Sequence, residues 1–478
     1  LGSWEPQALG FRRGLSSIAA AKDEETLVRT ERTRAAEIRL MDLFAPAPGQ
    51  RVPLPEGPDY EVLLGCIRCG RCLPVCPTYQ ETWLEIQSPR GRLALLRAVE
   101  EGHLPLDDAV EAHLYHCLDC RACETVCPAG VPIGEAIVAG RASAATQRPR
   151  PAWLRFALEV LLGSPRAAER AAAPLRWAWR IGGIPLARRL LRFLPPLRDL
   201  LDLAPRPARL VRRELFRRKP PPAPRYRVGF FLGCVMNAVY GDVVRASVRL
   251  LERLGCAVVV PPDQVCCGAP QDDQGLRETA RRFARRNLAA FAALEPLDAI
   301  VADCAACSGF LKEYPHLLAD DPVWAEHARA FAARVRDLTE WLEAIWPEDL
   351  RPVAPGLRIT YHEPCHLSHA QGVRRPPRAL LRRLQGAEVR ELPDAARCCG
   401  SAGIYNLTHP AMSKRLLARK MADIASTGAA VVATANPGCM LQLEWGARRT
   451  GMRIQVRHLA EVLDEALEAA SEGGAVSG

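Results

Sequence analysis

Lysine is scarce in this chain of 478 residues: of 64 basic side chains only Lys22, Lys219, Lys312, Lys414 and Lys420 are lysines, and the rest are Arg. That imbalance reads first as the codon bias of a GC-rich genome. No apolar run approaches the roughly 18–20 residues of a membrane span, so none is expected. The first 40 residues lack an apolar core of about 7–15 residues with a small-residue cleavage site, so no secretory signal is expected. No Gly-rich nucleotide loop and no G-x-S-x-G elbow occur, so no flavin or nicotinamide site is expected. The net charge is +10, but no nucleic-acid motif accompanies it, which sets nucleic acid aside as a partner. With 25% charged and 49% hydrophobic residues the chain is neither fibrous nor wholly disordered. Its length suits about three domains.

What the chain does have is 18 cysteines. Without an export signal it is expected in the cytoplasm, where clustered cysteines mean metal more often than disulfides. Composition divides the chain into five stretches. Residues 1–55 form a polar extension with Met41 as the first Met, and receive no function. Residues 56–140 hold eight Cys. Residues 141–225 hold none, carry 20 Arg and Lys against five acids, and read as a basic helical linker closing on Lys219-Pro-Pro-Pro-Ala-Pro224. Residues 226–346 and 357–470 resemble each other.

Cys66-x-x-Cys69-x-x-Cys72-x-x-x-Cys76-Pro77 is followed by Cys117-x-x-Cys120-x-x-Cys123-x-x-x-Cys127-Pro128. This is the bacterial ferredoxin run, twice, in which the fourth Cys of each run ligates the other cluster. One [4Fe–4S] cluster is therefore expected on Cys66, Cys69, Cys72 and Cys127, and a second on Cys117, Cys120, Cys123 and Cys76. Zinc or disulfides are the alternatives, but zinc needs only four ligands in a simpler pairing. Residues 77–116 have helical periodicity and predict a helical insertion between the runs.

In the later repeat, a short apolar strand ends at Cys234, then come Cys266-Cys267-Gly268 and a strand ending at Cys304-Ala-Ala-Cys307. The second copy has Cys365, Cys398-Cys399-Gly400 and Cys439. Cys234 and Cys365 lie 131 residues apart, Cys267 and Cys399 132, Cys304 and Cys439 135. On that count Gln442 stands where the first copy has Cys307. Strands alternating with helices predict α/β units with parallel sheets, whose ligands sit at the carboxyl ends of strands. Adjacent cysteines before Gly suit a tight turn with both thiols on one ligand. These nine cysteines are candidate sites for further clusters; buried apolar Cys is the alternative.

The pattern resembles the cysteine-rich "CCG" domain, found twice in heterodisulfide reductase-like subunits. That likeness implies a non-cubane iron–sulfur cluster on the five cysteines of the first copy, and puts in doubt a full site in the second. From about residue 60 to 470 the chain resembles the iron–sulfur subunit family of glycolate oxidase. The likeness is carried by Ser88-Pro-Arg-Gly-Arg92, Tyr361-His-Glu-Pro-Cys-His-Leu367 and Cys398-Cys-Gly-Ser-Ala-Gly-Ile-Tyr-Asn-Leu-Thr-His-Pro410. The family implies a multidomain electron-transfer subunit: an α-helical ferredoxin-type domain, then two α/β cysteine-rich domains. Flavin-containing partner subunits would oxidise glycolate to glyoxylate, and a quinone or other acceptor would receive the electrons. Subunits of lactate or glycerol-3-phosphate dehydrogenases share the architecture, and a disulfide reductase is a further alternative.

Other residues carry less specific signals. His362, His366 and His369 flank Cys365 and suit metal ligation, cluster tuning or proton movement, with satisfied loop histidines as the alternative; His409 is similar. Arg90 and Arg92 suit either neutralising anionic clusters or a solvated face. Apolar residues at helical spacing in the basic segment (Trp153, Leu154, Phe156, Leu158, Leu161 and Leu162, then Leu186, Leu190, Leu191, Phe193 and Leu194) suit either packing or peripheral contact with the inner face of the cell membrane.

Overall fold

The computed structural model describes residues 51–191, 193, 199, 201–218 and 221–474. The extension before residue 51, the end after 474 and most of 192–200 lie outside the described residues.

Residues 51–150 fold into helices and turns around a small core. Ser88 caps helix Pro89–Glu100 by accepting from the Gly91 N–H, with Pro89 at the first helical position. Asp107 caps Asp108–Tyr115 in the same way. Helix Ile133–Gln147 crosses Pro89–Glu100 so closely that a Cβ on Gly140 would stand 2.5 Å from Leu96. Leu93, Leu96, Val110, Leu114, Ile133 and Ile137 fill the space between.

Each later repeat is a four-stranded, all-parallel sheet. In the first, β1 (Tyr226–Phe231), β2 (Cys256–Val259), β3 (Ala299–Ala302) and β4 (Val335–Asp337) lie in the order β2-β1-β3-β4. In the second, β5 (Arg358–Tyr361), β6 (Glu388–Arg390), β7 (Val431–Thr434) and β8 (Gln455–His458) lie in the order β6-β5-β7-β8. Parallel neighbours need long crossovers, supplied here by helices such as Gly241–Arg253 and Pro410–Thr427. The matching orders make the two sheets copies of one topology.

The copies pack reciprocally. The helix after β8, Leu459–Gly474, lies on Gly241–Arg253 of the first repeat, and the helix after β4, Leu338–Ile345, lies on Arg375–Arg382 of the second. Asp464, 1% exposed, receives Arg249 and Arg253 across this joint. His458 donates from Nε2 to the Asp303 carbonyl at 3.0 Å, because its Nδ1 accepts from the Ala460 N–H. These contacts bring the carboxyl ends of β3 and β7 together, and the Ala305 N–H donates to the Ala435 carbonyl.

The basic segment has two faces. Leu154, Leu158, Ala168 and Val211 are buried, and the Gln271 amide donates to the Leu158 carbonyl, so much of the segment is packing. Helices Ala173–Arg180 and Gly183–Leu190 bury no residue and expose Trp177, Ile181, Leu186 and Leu190. Among the described residues no helix is long and apolar enough to cross a membrane.

Candidate functional site

The two ferredoxin-type runs fold into matching loops. Arg68 and Gly70 (φ 56° and 82°) in the first correspond to Asp119 and Arg121 (φ 47° and 59°) in the second. Left-handed residues between successive cysteines turn the thiols toward one point. For a residue with a side chain this conformation costs about 1–2 kcal/mol, and such strain gathers at ligand clamps. Cys66, Cys69, Cys72 and Cys127 line one small cavity with Arg90 and Ile133. Cys76 is not among those lining residues; it stands between the groups, in the field of Cys120 and Cys123 and also of Cys72. The first group reaches the surface at Cys69, whereas Cys76 and Cys120 are buried.

Buried cations surround the second group. Arg92 is fully buried and donates to the Gln87 and His113 carbonyls and to Thr78 Oγ1, which lies 3.3 Å from the Cys76 thiol. It does not lie on a solvated face. Arg90 does lie nearer solvent, paired with Glu85 and donating to the Arg68 carbonyl. Arg141, counted by sequence with the basic linker, is buried and donates to the Cys117 carbonyl at 2.5 Å. Asp119 pairs with Arg121 at 2.6 Å and with His366 at 3.7 Å. Burial works against that carboxylate, but these cations hold its pKa down at about 2. Burial also disfavours the charged His366 ring, yet Asp119 and Cys365 raise its pKa to about 9.

The first repeat gathers five thiols. Cys234 Sγ lies 3.9 Å from Cys266 Sγ, and Cys267 stands in the field of Cys266 and acts in turn on Cys307. The Cys307 N–H donates to Cys304 Sγ at 3.4 Å. Donation from Cys234 and Cys267 holds Cys266 well below the ordinary thiol range. Gly268 is left-handed at φ 104°, and a Cβ there would meet Phe310 at 3.0 Å. Gly400 repeats this at φ 87°, with the Ser413 carbonyl 2.8 Å from a Cβ. Cys256 lies apart at the opposite end of β2.

The second repeat links Cys365 to Cys398, Cys398 to Cys399, and Cys399 to Cys439. Its register differs from the sequence count. Cys304 caps helix Ala305–Lys312 just past β3, and Asn436 occupies the same place before Pro437–Thr450, just past β7. Asn436 therefore replaces Cys304, and Cys439 corresponds to Cys307, each pair 132 residues apart. Gln442 faces elsewhere, donating to the Ser413 hydroxyl at 2.9 Å and to the Cys399 carbonyl at 3.3 Å.

Asn436 also joins the two nests. Its Oδ1 is 3.6 Å from Cys304 Sγ and its Nδ2 is 3.5 Å from Cys439 Sγ. On the other side Cys120 packs in one cluster with Cys398 and Cys365. The four cysteine groups thus adjoin in series: ferredoxin-type first, ferredoxin-type second, second repeat, first repeat.

Comparison with known proteins gives this series a family. The 4Fe-4S dicluster domain matches residues 62–131, and a cysteine-rich domain matches residues 228–312 and 359–444. A probable glycolate oxidase iron–sulfur subunit of Bacillus subtilis is 38% identical over 426 residues, 86% of this chain and 95% of that protein. The chain belongs to the glycolate oxidase iron–sulfur subunit family. The glycolate oxidase iron–sulfur subunit of Escherichia coli is 33% identical over 410 residues, 85% of this chain and 95% of its own. Lactate utilization protein A of Geobacillus thermodenitrificans is 35% identical over 239 residues, 50% of this chain and 98% of its own.

For a glycolate oxidase iron–sulfur subunit, the donor chemistry decides whether clusters fit. All the cysteines are free thiols. Burial, and the neighbouring sulfurs, push Cys120 and Cys123 well above the ordinary thiol range. Such thiols ionise together only around a cation, which iron supplies. The converging groups therefore fit iron–sulfur clusters. Sequence reading missed Arg141 and Asn436; their signals were a 132-residue offset for Asn436 and, for Arg141, a place on the inner face of a helix.

Proposed function

We propose that this chain is the one-electron relay of a complex that oxidises glycolate to glyoxylate on flavin-containing subunits and delivers the electrons to a quinone-type acceptor. The observation that carries this reading is the unbroken series of four cysteine groups. Glycolate gives up two electrons and two protons on becoming glyoxylate, and flavin can accept a pair and release it singly. Two [4Fe–4S] clusters, when bound, supply one-electron sites. Cys66, Cys69, Cys72 and Cys127 would hold the first; Cys76, Cys117, Cys120 and Cys123 the second. The exposed edge at Cys69 suits approach by a flavin subunit, while Arg92 and Arg141 offset thiolate charge at the buried second group. Cys234, Cys266, Cys267, Cys304 and Cys307 suit a further iron–sulfur cluster. The exposed apolar residues of the Arg-rich helices Ala173–Arg180 and Gly183–Leu190 suit peripheral contact with an anionic membrane, where a quinone resides.

The test is reconstitution with and without this chain. Flavin subunits alone should reduce a soluble dye with glycolate but not a quinone, and adding the chain should restore quinone reduction. Equal quinone reduction without it would refute the relay. The likeness to lactate utilization protein A supports lactate as a second substrate reading. It predicts the same dependence on the chain with lactate in place of glycolate.

A further inference from the structure

The second repeat has lost one thiol and gained a histidine. Asn436 stands where the first repeat has Cys304. Just past β5, His362 stands where the first repeat has Phe231, 131 residues away, the offset that also separates Cys234 and Cys365. Phe231 is ordinary sheet core, stacked on Phe291. His362 is 1% exposed, yet neither ring nitrogen makes a hydrogen bond of ordinary geometry, although the Ala395 carbonyl stands near the ring. A neutral imidazole carries one N–H and one lone pair. Leaving a buried polar group unpaired costs about 1–3 kcal/mol.

The ring does have neighbours of another kind. A ring nitrogen of His362, Cys399 Sγ and Cys439 Sγ all lie within 4.8 Å of one another. Among the described residues no other trio of His, Cys, Asp or Glu ligand atoms is so tightly gathered. A tetrahedral ion with bonds of about 2.0 Å to nitrogen and 2.3 Å to sulfur holds its ligand atoms roughly 3.5–3.8 Å apart. The trio needs to close by about 1 Å to meet that spacing. Two thiolates and a neutral imidazole neutralise a divalent ion, and the buried Lys420 ammonium donates to the Asp394 and Ala395 carbonyls.

We infer that His362, Cys399 and Cys439 bind a single divalent ion of the zinc class, so the two repeats are chemically distinct: a five-thiol nest in the first, a mixed His/Cys mononuclear site in the second. Binding releases the two thiol protons to solvent and changes no oxidation state. The site lies between the second ferredoxin-type group and the first repeat.

The experiment uses the full chain, expressed at native level with its partners and purified anaerobically. Zinc, iron and sulfide are counted, and zinc-edge X-ray absorption is recorded. The wild type should carry about one zinc with nitrogen and sulfur in its shell. His362→Phe, which installs the residue of the first repeat, should lower zinc about tenfold or more and leave iron unchanged. His362→Cys should restore zinc with an all-sulfur shell. Absence of zinc from the wild type, a shell without nitrogen, or full zinc in His362→Phe would overturn the inference. So would a joint loss of several irons and sulfides in His362→Phe, which would mean a cluster ligand. Should His362→Phe fail to fold, the nitrogen in the wild-type shell decides alone.

Discussion

Replacing Arg141 by Met should loosen the second cysteine group before any other part of the molecule. The guanidinium donates to the Leu114 carbonyl at 3.0 Å and 3.2 Å, to the Cys117 carbonyl at 2.5 Å and to the Asp273 carbonyl at 3.2 Å. It also pairs with the Asp273 carboxylate and lies 5.1 Å over the Tyr115 ring. Met keeps the apolar stem and removes every donor. Breaking a buried ion pair costs about 3–5 kcal/mol. Asp273 retains 27% of its side-chain exposure and can rehydrate, so the lower end applies. An unpaired buried carbonyl adds about 1–3 kcal/mol. A net loss of about 4 kcal/mol follows, a large share of a typical domain's 5–15 kcal/mol. Arg141→Lys keeps the charge but cannot reach all these acceptors, and should lose roughly half as much. The assay is the denaturation midpoint together with the rate of iron loss to a chelator. An Arg141→Met protein within about 1 kcal/mol of wild type, holding iron equally well, would refute the reasoning.

Three further outcomes are expected. Cys127→Ser should remove the signal of the cluster held by Cys66, Cys69 and Cys72, and Cys76→Ser that of the other; the reverse assignment by EPR would contradict the crossed grouping. Burial lowers the His458 pKa from 6.5 to about 4, so the stability tied to its neutral form is full above about 6.5 and lost as pH falls toward 4, on the order of 3 kcal/mol. His458→Gln cannot titrate, so the wild type's advantage in melting temperature should shrink between pH 7.5 and 5; a constant difference would argue against this. Finally, the chain should sediment with anionic vesicles in a salt-sensitive manner, and Leu186→Asp with Leu190→Asp should weaken this about tenfold. Binding that ignores both changes would remove the membrane reading.

How far the molecule can be read from its sequence depends on the kind of constraint. The strands leading to Cys234 and Cys304 are apolar runs that announce themselves, and the mixed Arg358-Ile-Thr-Tyr361 before Cys365 is found because it repeats the first at a fixed offset. β4 and β8 escape because they are three or four residues long and partly polar, as in Val335-Arg-Asp337. The meeting of Cys127 with Cys66, Cys69 and Cys72 is expected from the crossed ligation known for paired ferredoxin runs. Asn436 was hidden because counting from Cys304 aligns like residues, whereas the fold aligns helix caps. Arg92 and Arg141 show why charge does not reveal burial: each is enclosed because carbonyls converge on it from segments distant in sequence. The basic segment divides for the same reason, since Leu158 is buried beneath Gln271 while Leu190 is exposed among the described residues. His362 was visible as a candidate, but only its unpaired nitrogens beside two thiols give it a role.

The central claim is that electrons from glycolate enter this chain's cysteine-held clusters. The direct measurement is low-temperature EPR on the native complex, purified anaerobically, before and after glycolate. The account predicts reduced-cluster signals that appear with glycolate and are lost when the cysteines of both ferredoxin-type runs are replaced. Clusters that dithionite reduces and glycolate leaves oxidised would contradict it.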